Sequence, residues 1–219
     1  MSDVVILTII PALAQDEFNA LIPLVSREKQ ERIRCFRFFR DAQNALLGDI
    51  LVRTEICRIT GLKNRELDFS KSEYGKPFLT SAPHIHYNIS HTGHYVACAI
   101  AGEPVGIDIE LIEPVKMELV EWFFAPDETA YILNAPQSQR FSEVWTKKES
   151  RIKWEGKGLS KPLPSFSVFD PAELENINYY EVFRNDDVTC HVCSSAGEQP
   201  SVRVMDTAAL MRHIKISVT

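Results

Sequence analysis

Asp108 and Glu110 sit in the stretch Gly106-Ile-Asp-Ile-Glu110, alternating with isoleucines at the end of a run of strand formers. Acidic residues are poor strand formers and are rarely buried without a partner, so their place there asks for a reason. In a strand, residues two apart point the same way, so both carboxylates face one place while Ile107 and Ile109 face the other. A few carboxylate oxygens that leave positions for water and phosphate suit Mg²⁺. A solvated strand face accounts for the pair as readily. Glu149, in Trp145-Thr-Lys-Lys-Glu-Ser150, offers a third carboxylate, and Lys153 follows one helical turn later on the same face. Taken alone, that spacing reads first as an ordinary surface Glu–Lys pair. The alternative is a helical metal ligand beside a lysine that meets phosphate oxygens, which is the equipment for displacement at phosphorus.

Other reactive residue types are scattered more widely. Arg27, Lys29, Arg32, Arg34, Arg37 and Arg40 form one basic run, and Lys147, Lys148, Arg151, Lys153, Lys157 and Lys161 form another. Each is either a solvated helix face or a local anion site within an acidic chain. His84, His86, His91 and His94 lie close together, and an H-x-H can belong to a zinc hydrolase. Partly exposed strand and turn histidines are the preferred reading. Cys190 and Cys193 make a C-x-x-C with no second pair, and on a strand their side chains face opposite ways. With Cys35, Cys57 and Cys98 the total is odd, so reduced thiols are expected.

The elements that position these groups follow from periodicity. Val4 to Ile10 reads as a buried strand, followed by helices over Glu17 to Leu24 and from Ser26, an N-cap residue type. The longest helix is expected from Asp41 to Thr60, with Ala42, Leu46, Ile50 and Cys57 on one face and Gly61 as the stop. A turn at Tyr74-Gly-Lys-Pro77 precedes strands over His84 to Ile89, Tyr95 to Ala101 and Val105 to Ile109. The second half opens with helical stretches over Lys116 to Phe124 and from Pro126, then a stronger helix from Gln139 to Glu155. Strands are expected at Ser165 to Phe169, Tyr179 to Phe183 and Val188 to Cys193, with a hairpin turn at Asn185-Asp-Asp187. A short echo, C-x-x-A-G-E from Cys98 and again from Cys193, hints at two similar halves.

Taken together, these motifs resemble the Sfp-type 4′-phosphopantetheinyl transferases, the class that activates peptide synthetases. The resemblance rests on Gly106-Ile-Asp-Ile-Glu110 and Trp145-Thr-Lys-Lys-Glu-Ser150 running into Arg151-Ile-Lys-Trp-Glu-Gly-Lys-Gly-Leu-Ser160. Upstream it continues through Leu46-Leu-Gly-Asp49, Tyr74-Gly-Lys-Pro77 and Asn88-Ile-Ser-His91, and it spans about Ser26 to Val168. It implies an α+β monomer of two similar α/β halves related by a pseudo-twofold axis, residues 1–104 and 105–219, with coenzyme A between them as substrate. By the same resemblance Asp108, Glu110 and Glu149 hold Mg²⁺, with Mn²⁺ an acceptable substitute. Glu149 takes the proton of a carrier-protein serine, and Lys153 neutralises or protonates the leaving phosphate. Lys29 and Arg32 fall on the 3′-phosphate, His91 nearby on the phosphates, Gly75, Lys76 and Pro77 at the adenine end, and Ser90 helps from the turn beside His91. One departure is Ala45, where the family often carries a cationic or hydroxyl residue.

The implied reaction moves phosphopantetheine from coenzyme A to an acyl or peptidyl carrier domain of peptide, polyketide or fatty acid assembly, releasing adenosine 3′,5′-bisphosphate. Met117, Leu119, Phe123 and Phe124 are either core or a docking surface for an apolar carrier helix, and Lys147, Lys148 and Arg151 are charges that could meet an acidic carrier. Two other readings stand beside this one, a noncatalytic carrier-binding homologue and a magnesium-dependent hydrolase of coenzyme A-like nucleotides. The net charge of −6 argues against general nucleic-acid binding. With 219 residues, 45% of them hydrophobic, there is ample core, and with neither a basic leader nor a bilayer-length apolar run the chain reads as cytoplasmic.

Overall fold

The computed structural model describes residues 2–217 apart from 10, 116, 117, 119, 135, 159 and 160. Strand β1 (Ser2–Thr8) is almost wholly buried because it is an inner strand of a four-stranded sheet. It pairs antiparallel with β5 (Tyr95–Ala101) and parallel with β9 (Ser201–Asp206), while β4 (His86–Thr92) lies on the far side of β5. Helices α1 (Gln15–Leu21), α2 (Arg27–Arg34) and α3 (Phe39–Thr60) connect β1 to the rest. The expected caps are in place: Ser26 Oγ accepts the Lys29 amide at 3.3 Å, and Gly61, at φ +73°, ends α3 by donating its amide to the Cys57 carbonyl at 2.9 Å. From Asp41 to Cys57 no residue of α3 is fully exposed, and Leu46, Leu47, Ile50, Leu51 and Ile56 fill the core over β5. Between α3 and β4 a short hairpin, β2 (Phe69–Lys71) and β3 (Pro77–Leu79), carries the turn at Gly75 and Lys76.

The second sheet has the order β6-β8-β7, from β6 (Val105–Leu111), β7 (Asn178–Arg184) and β8 (Val188–Ser194). Its inward side chains, Val105, Ile107, Ile109, Cys190 and Val192, pack on Val4, Ile6, Ala97 and Ala99 of the first sheet. Small alanines let the two sheets approach, and α3 and α6 (Gln137–Glu155) cover the outer faces. The result is an α+β fold, and each copy of the C-x-x-A-G-E echo begins on an inner strand of its sheet, β5 in the first and β8 in the second. All five cysteines are free thiols, four of them buried. Among the described residues no helix is long and apolar enough to cross a membrane.

Two expectations are corrected. Residues 165–169 form no strand, because a 3₁₀ turn (Leu163–Ser165) and its successor lend their main chain to a buried ion pair. Lys148 Nζ donates to the carbonyls of Leu163 and Phe166 at 3.0 and 2.5 Å, and Glu128 Oε1 accepts the Val168 amide at 2.8 Å. Lys148 itself is no surface charge: it and Glu128 are 0% exposed and 2.6 Å apart. The helical stretch expected over 116–124 is seen as α4 (Val120–Phe123), with Met117 and Leu119 outside the described residues, and α5 (Pro126–Leu133) opens at Pro126 as expected. After a one-turn helix α7 (Pro171–Leu174) and strands β7 and β8, the chain ends in β9 and α8 (Thr207–Ser217), with β9 beside β1 and Leu210 and Ile214 joining the core under α3.

Candidate active site

Strand alternation assigns β6 two different faces. Ile107 and Ile109 enter the core between the sheets, while Gly106, Asp108 and Glu110 face helix α6 and the edge of β4. Gly106 is where the helix comes closest: a Cβ there would collide with the Ser150 carbonyl oxygen and the Trp154 amide nitrogen. That approach brings Lys153 onto Asp108, Nζ to Oδ1 at 2.6 Å. Strand β4 supplies the other wall residue by residue. Asn88 Oδ1 accepts the Ile107 amide at 2.9 Å, Ser90 Oγ donates to Asp108 Oδ1 at 2.8 Å, and Thr92 Oγ1 donates to Glu110 Oε2 at 3.3 Å. Lys153 also donates to Ser90 Oγ, at 3.0 Å.

Asp108 is 2% exposed, and although Oδ1 is well satisfied its Oδ2 is buried with no hydrogen-bond partner. A buried carboxylate oxygen without a donor is costly and marks a place for a cation. The neighbouring acids show the same crowding of negative charge. Burial and the Asp108 charge, with a smaller push from Glu149, raise the Glu110 carboxyl to about 7 against the pull of Lys153 and Thr92. Burial and Asp108 likewise raise Glu149, against Lys153. These three carboxylates therefore sense one another across β6 and α6, and their donor set is all oxygen, which fits Mg²⁺ or Mn²⁺. Among the described residues, no three His, Cys, Asp or Glu side chains are yet gathered as closely as a bound metal would hold them.

A cavity of ≈ 840 Å³ lies on the β4 side and is lined by Lys29, Arg32, Asp49, Gly75, Pro77 and Ile89, among others. It is large enough for a nucleotide. It shares strand β4 with the carboxylates: Ile89 lines it from one face of the strand, while the next residue, Ser90, turns to the other face and holds Asp108. Lys29 meets Asp49 at 3.7 Å, and burial pulls its ammonium below the usual lysine value against that partner. The His91 ring, only partly desolvated, is pulled below the usual imidazole value by that desolvation and by the charge of Lys153, with a smaller push from Lys29. His91 thus feels the charges of both Lys153, beside Asp108, and Lys29, at the cavity.

Lys76 is the expected contact that the structure turns away. Gly75 and Pro77 line the cavity, but the Lys76 ammonium reaches the carbonyls of Lys153, Trp154 and Val105 at 2.5, 3.1 and 3.3 Å. Burial draws that ammonium down to about 8, while the carbonyl dipoles at the helix C-terminus favour its charged form. The expected docking charges are also partnered, Lys147 with Glu143 at 2.6 Å and Arg151 with Glu155 at 2.8 Å. Of the apolar set, Phe124 is core and Phe123 is exposed, and beside them Trp122 is 76% exposed. Three contributors escaped sequence reasoning: Asn88, Thr92 and Gly106. The period-two spacing of Asn88, Ser90 and Thr92 on a strand was the available signal.

The family model described as 4′-phosphopantetheinyl transferase, N-terminal, matches residues 12–104, and that of the 4′-phosphopantetheinyl transferase superfamily matches residues 104–209. The chain belongs to the 4′-phosphopantetheinyl transferase superfamily, and it is an enzyme of that class. Within the family it is Sfp-like. It is 44% identical over 159 residues to 4′-phosphopantetheinyl transferase Sfp of Bacillus subtilis (strain 168), covering 71% of each chain. The ffp transferase of Bacillus subtilis shows the same identity and coverage, again 44% over 159 residues and 71% of each. The gsp transferase of Aneurinibacillus migulanus is 36% identical over 189 residues, 81% of this chain and 79% of its own.

Proposed function

We propose that the protein transfers the 4′-phosphopantetheine group of coenzyme A to a serine hydroxyl of an acyl or peptidyl carrier domain, in a Mg²⁺-dependent reaction. One observation carries the reading: a nucleotide-sized cavity edged by Lys29 and Arg32 shares strand β4 with the group around Asp108, whose buried Oδ2 lacks a partner, with Glu110, Glu149 and Lys153 about it. Lys29, Arg32 and His91 bind the 3′-phosphate end, Gly75, Pro77 and the main chain of Lys76 wall the adenine, and Ser90 orients Asp108. Asp108, Glu110 and Glu149 hold the metal ion, which when bound neutralises pyrophosphate charge and polarises the reacting phosphoryl group. Glu149, its carboxyl raised above the usual carboxylate value by burial and the Asp108 charge, takes the serine proton as the serine Oγ–P bond forms. As the P–O bond within the pyrophosphate breaks, Lys153 stabilises or protonates the leaving phosphate, and adenosine 3′,5′-bisphosphate departs. The carrier approaches past Phe123 and Trp122. The enzyme works as a cytoplasmic monomer serving peptide or polyketide assembly.

The test is the intact mass of an apo carrier protein after incubation with this protein, coenzyme A and Mg²⁺, with and without chelator. A chelator-sensitive gain of one phosphopantetheine is expected. Glu149→Gln should fold and bind coenzyme A yet lose about 10²–10⁴-fold in rate, the usual worth of a positioned general base. Full activity in that variant would remove Glu149 from the mechanism. Coenzyme A binding with no gain on any carrier type would point to a noncatalytic carrier binder. Phosphate-ester cleavage without carrier would point to a hydrolase.

A further inference from the structure

Of residues 72–77, all but Lys76 are exposed. The turn is closed on itself, with the Ser72 amide donating to the Lys76 carbonyl at 2.9 Å and the Lys76 amide to Ser72 Oγ at 3.1 Å. This fixes the backbone so that Gly75 and Pro77 face the cavity while the side chain between them crosses to the second half of the molecule. There the ammonium caps two carbonyls that end α6, those of Lys153 and Trp154, and a third that begins β6, that of Val105. The last helical carbonyls have no intrahelical partners, so a buried cation that takes two of them fixes the final turn. Gly156 is shaped to this arrangement. At φ +71° it caps α6, and a Cβ there would lie 2.7 Å from Lys76 Cδ.

We propose that Lys76 is a positioning residue for the transfer reaction: it pins the last turn of α6, and with it Lys153, to Val105 at the start of β6, three residues before Asp108 on the same strand. The same turn therefore walls the nucleotide cavity with its main chain and sets the phosphate-facing lysine with its side chain. Without the pin, the C-terminal turn of α6 frays, and Lys153 leaves the 2.6 Å contact that orients it on Asp108. A displacement of about 1 Å at a reacting group is enough to cost roughly 100-fold in rate without touching substrate affinity.

The proposal rests on the transferase reading, and its test separates the two. Lys76→Met keeps the stem that packs on Gly156 and removes the cation. Hydrogen exchange of the amides at the end of α6 needs no activity and should quicken at least tenfold in the variant relative to wild type, with β1 and α3 unchanged. In carrier modification, kcat should fall about 100-fold while the KM for coenzyme A stays within threefold. In Lys76→Ala, ethylammonium should restore part of kcat and neutral ethanol should not, a rescue that a generally loosened fold would not show. A risen KM for coenzyme A with kcat retained would make Lys76 a ligand contact and overturn the proposal. Unchanged exchange at the end of α6 would overturn it as well. Wild-type protein that modifies no carrier, with exchange altered as expected in Lys76→Met, would sink the transferase reading and leave the pin in place.

Discussion

At the scale of single residues, the sequence names the chemistry but not the partner. Lys148 stands among lysines and an arginine that all look solvent-bound, yet it lies wholly inside, against Glu128 and two carbonyls. Removing one member of such a pair strands the other charge in the core. Lys148→Met should cost about 3–5 kcal/mol in urea unfolding, and the double variant with Glu128→Gln should recover most of it. His191 is a second buried group, with Nδ1 2.8 Å from Thr146 Oγ1. Burial draws its imidazole from 6.5 down to about 3, and the Lys147 and Arg184 cations add to the shift. Between those two values the unfolded chain binds the proton and the folded chain does not, so this contribution is present above the higher value and lost as pH falls toward the lower. His191→Gln should therefore lose about 2 kcal/mol less than wild type between roughly pH 7 and pH 4.5, read from urea midpoints at each pH. At this scale Asp108 with Glu110, and Glu149 with Lys153, were legible because each pair's spacing shares a face, whereas the contacts of Thr92, Lys76 and Lys148 were not, because their partners lie 15 or more residues away.

At the scale of elements, the decisive contact is α6 against β6, made through Gly106. A side chain at that position meets backbone atoms, which cannot swing aside, so the whole helix must move. Gly106→Ala is expected to cost about 1–3 kcal/mol in thermal or urea unfolding, as overpacking does. Measured well below its melting temperature, the folded variant should also lose transfer activity about 100-fold or more, because Glu149 and Lys153 ride on the displaced helix. Unaltered activity in a folded Gly106→Ala protein would mean that α6 need not approach β6 so closely. Element boundaries fixed by local signals, such as the Ser26 cap and the Gly61 stop, were readable from sequence. The apolar stretch at 165–169 was misread because its alternation of apolar and polar residues is shared by strands and by irregular segments whose hydrogen bonds go elsewhere.

At the scale of the whole molecule, the last residues matter although they carry none of the candidate site. Strand β9 covers the otherwise open edge of β1, and Arg203 reaches back 2.5 Å to the buried Glu55 on α3. Deleting 201–219 would expose that edge, strip Leu210 and Ile214 from the core and leave Glu55 without Arg203. The truncated protein should aggregate or melt well below the full chain in circular dichroism, and modify no carrier, though Asp108, Glu110, Glu149 and Lys153 are all retained. A truncated protein with the full chain's melting temperature would show that the first sheet stands without β9.

By itself the sequence determined the periodic content of this protein: which segments become β1, α3, β5, β6 and α6, and that Asp108 and Glu110 share one face. Those features arise from neighbours a few residues apart, where alternation, helical spacing and capping act directly. Only the tertiary structure decided that β9 joins β1, that Lys148 is core, that Lys76 leaves the cavity for the end of α6, and that Ser90 and Lys153 converge on one oxygen of Asp108. These depend on the packing of two sheets and two central helices, in which residues remote in sequence compete for the same buried charges and carbonyls, and no local pattern records the outcome of that competition.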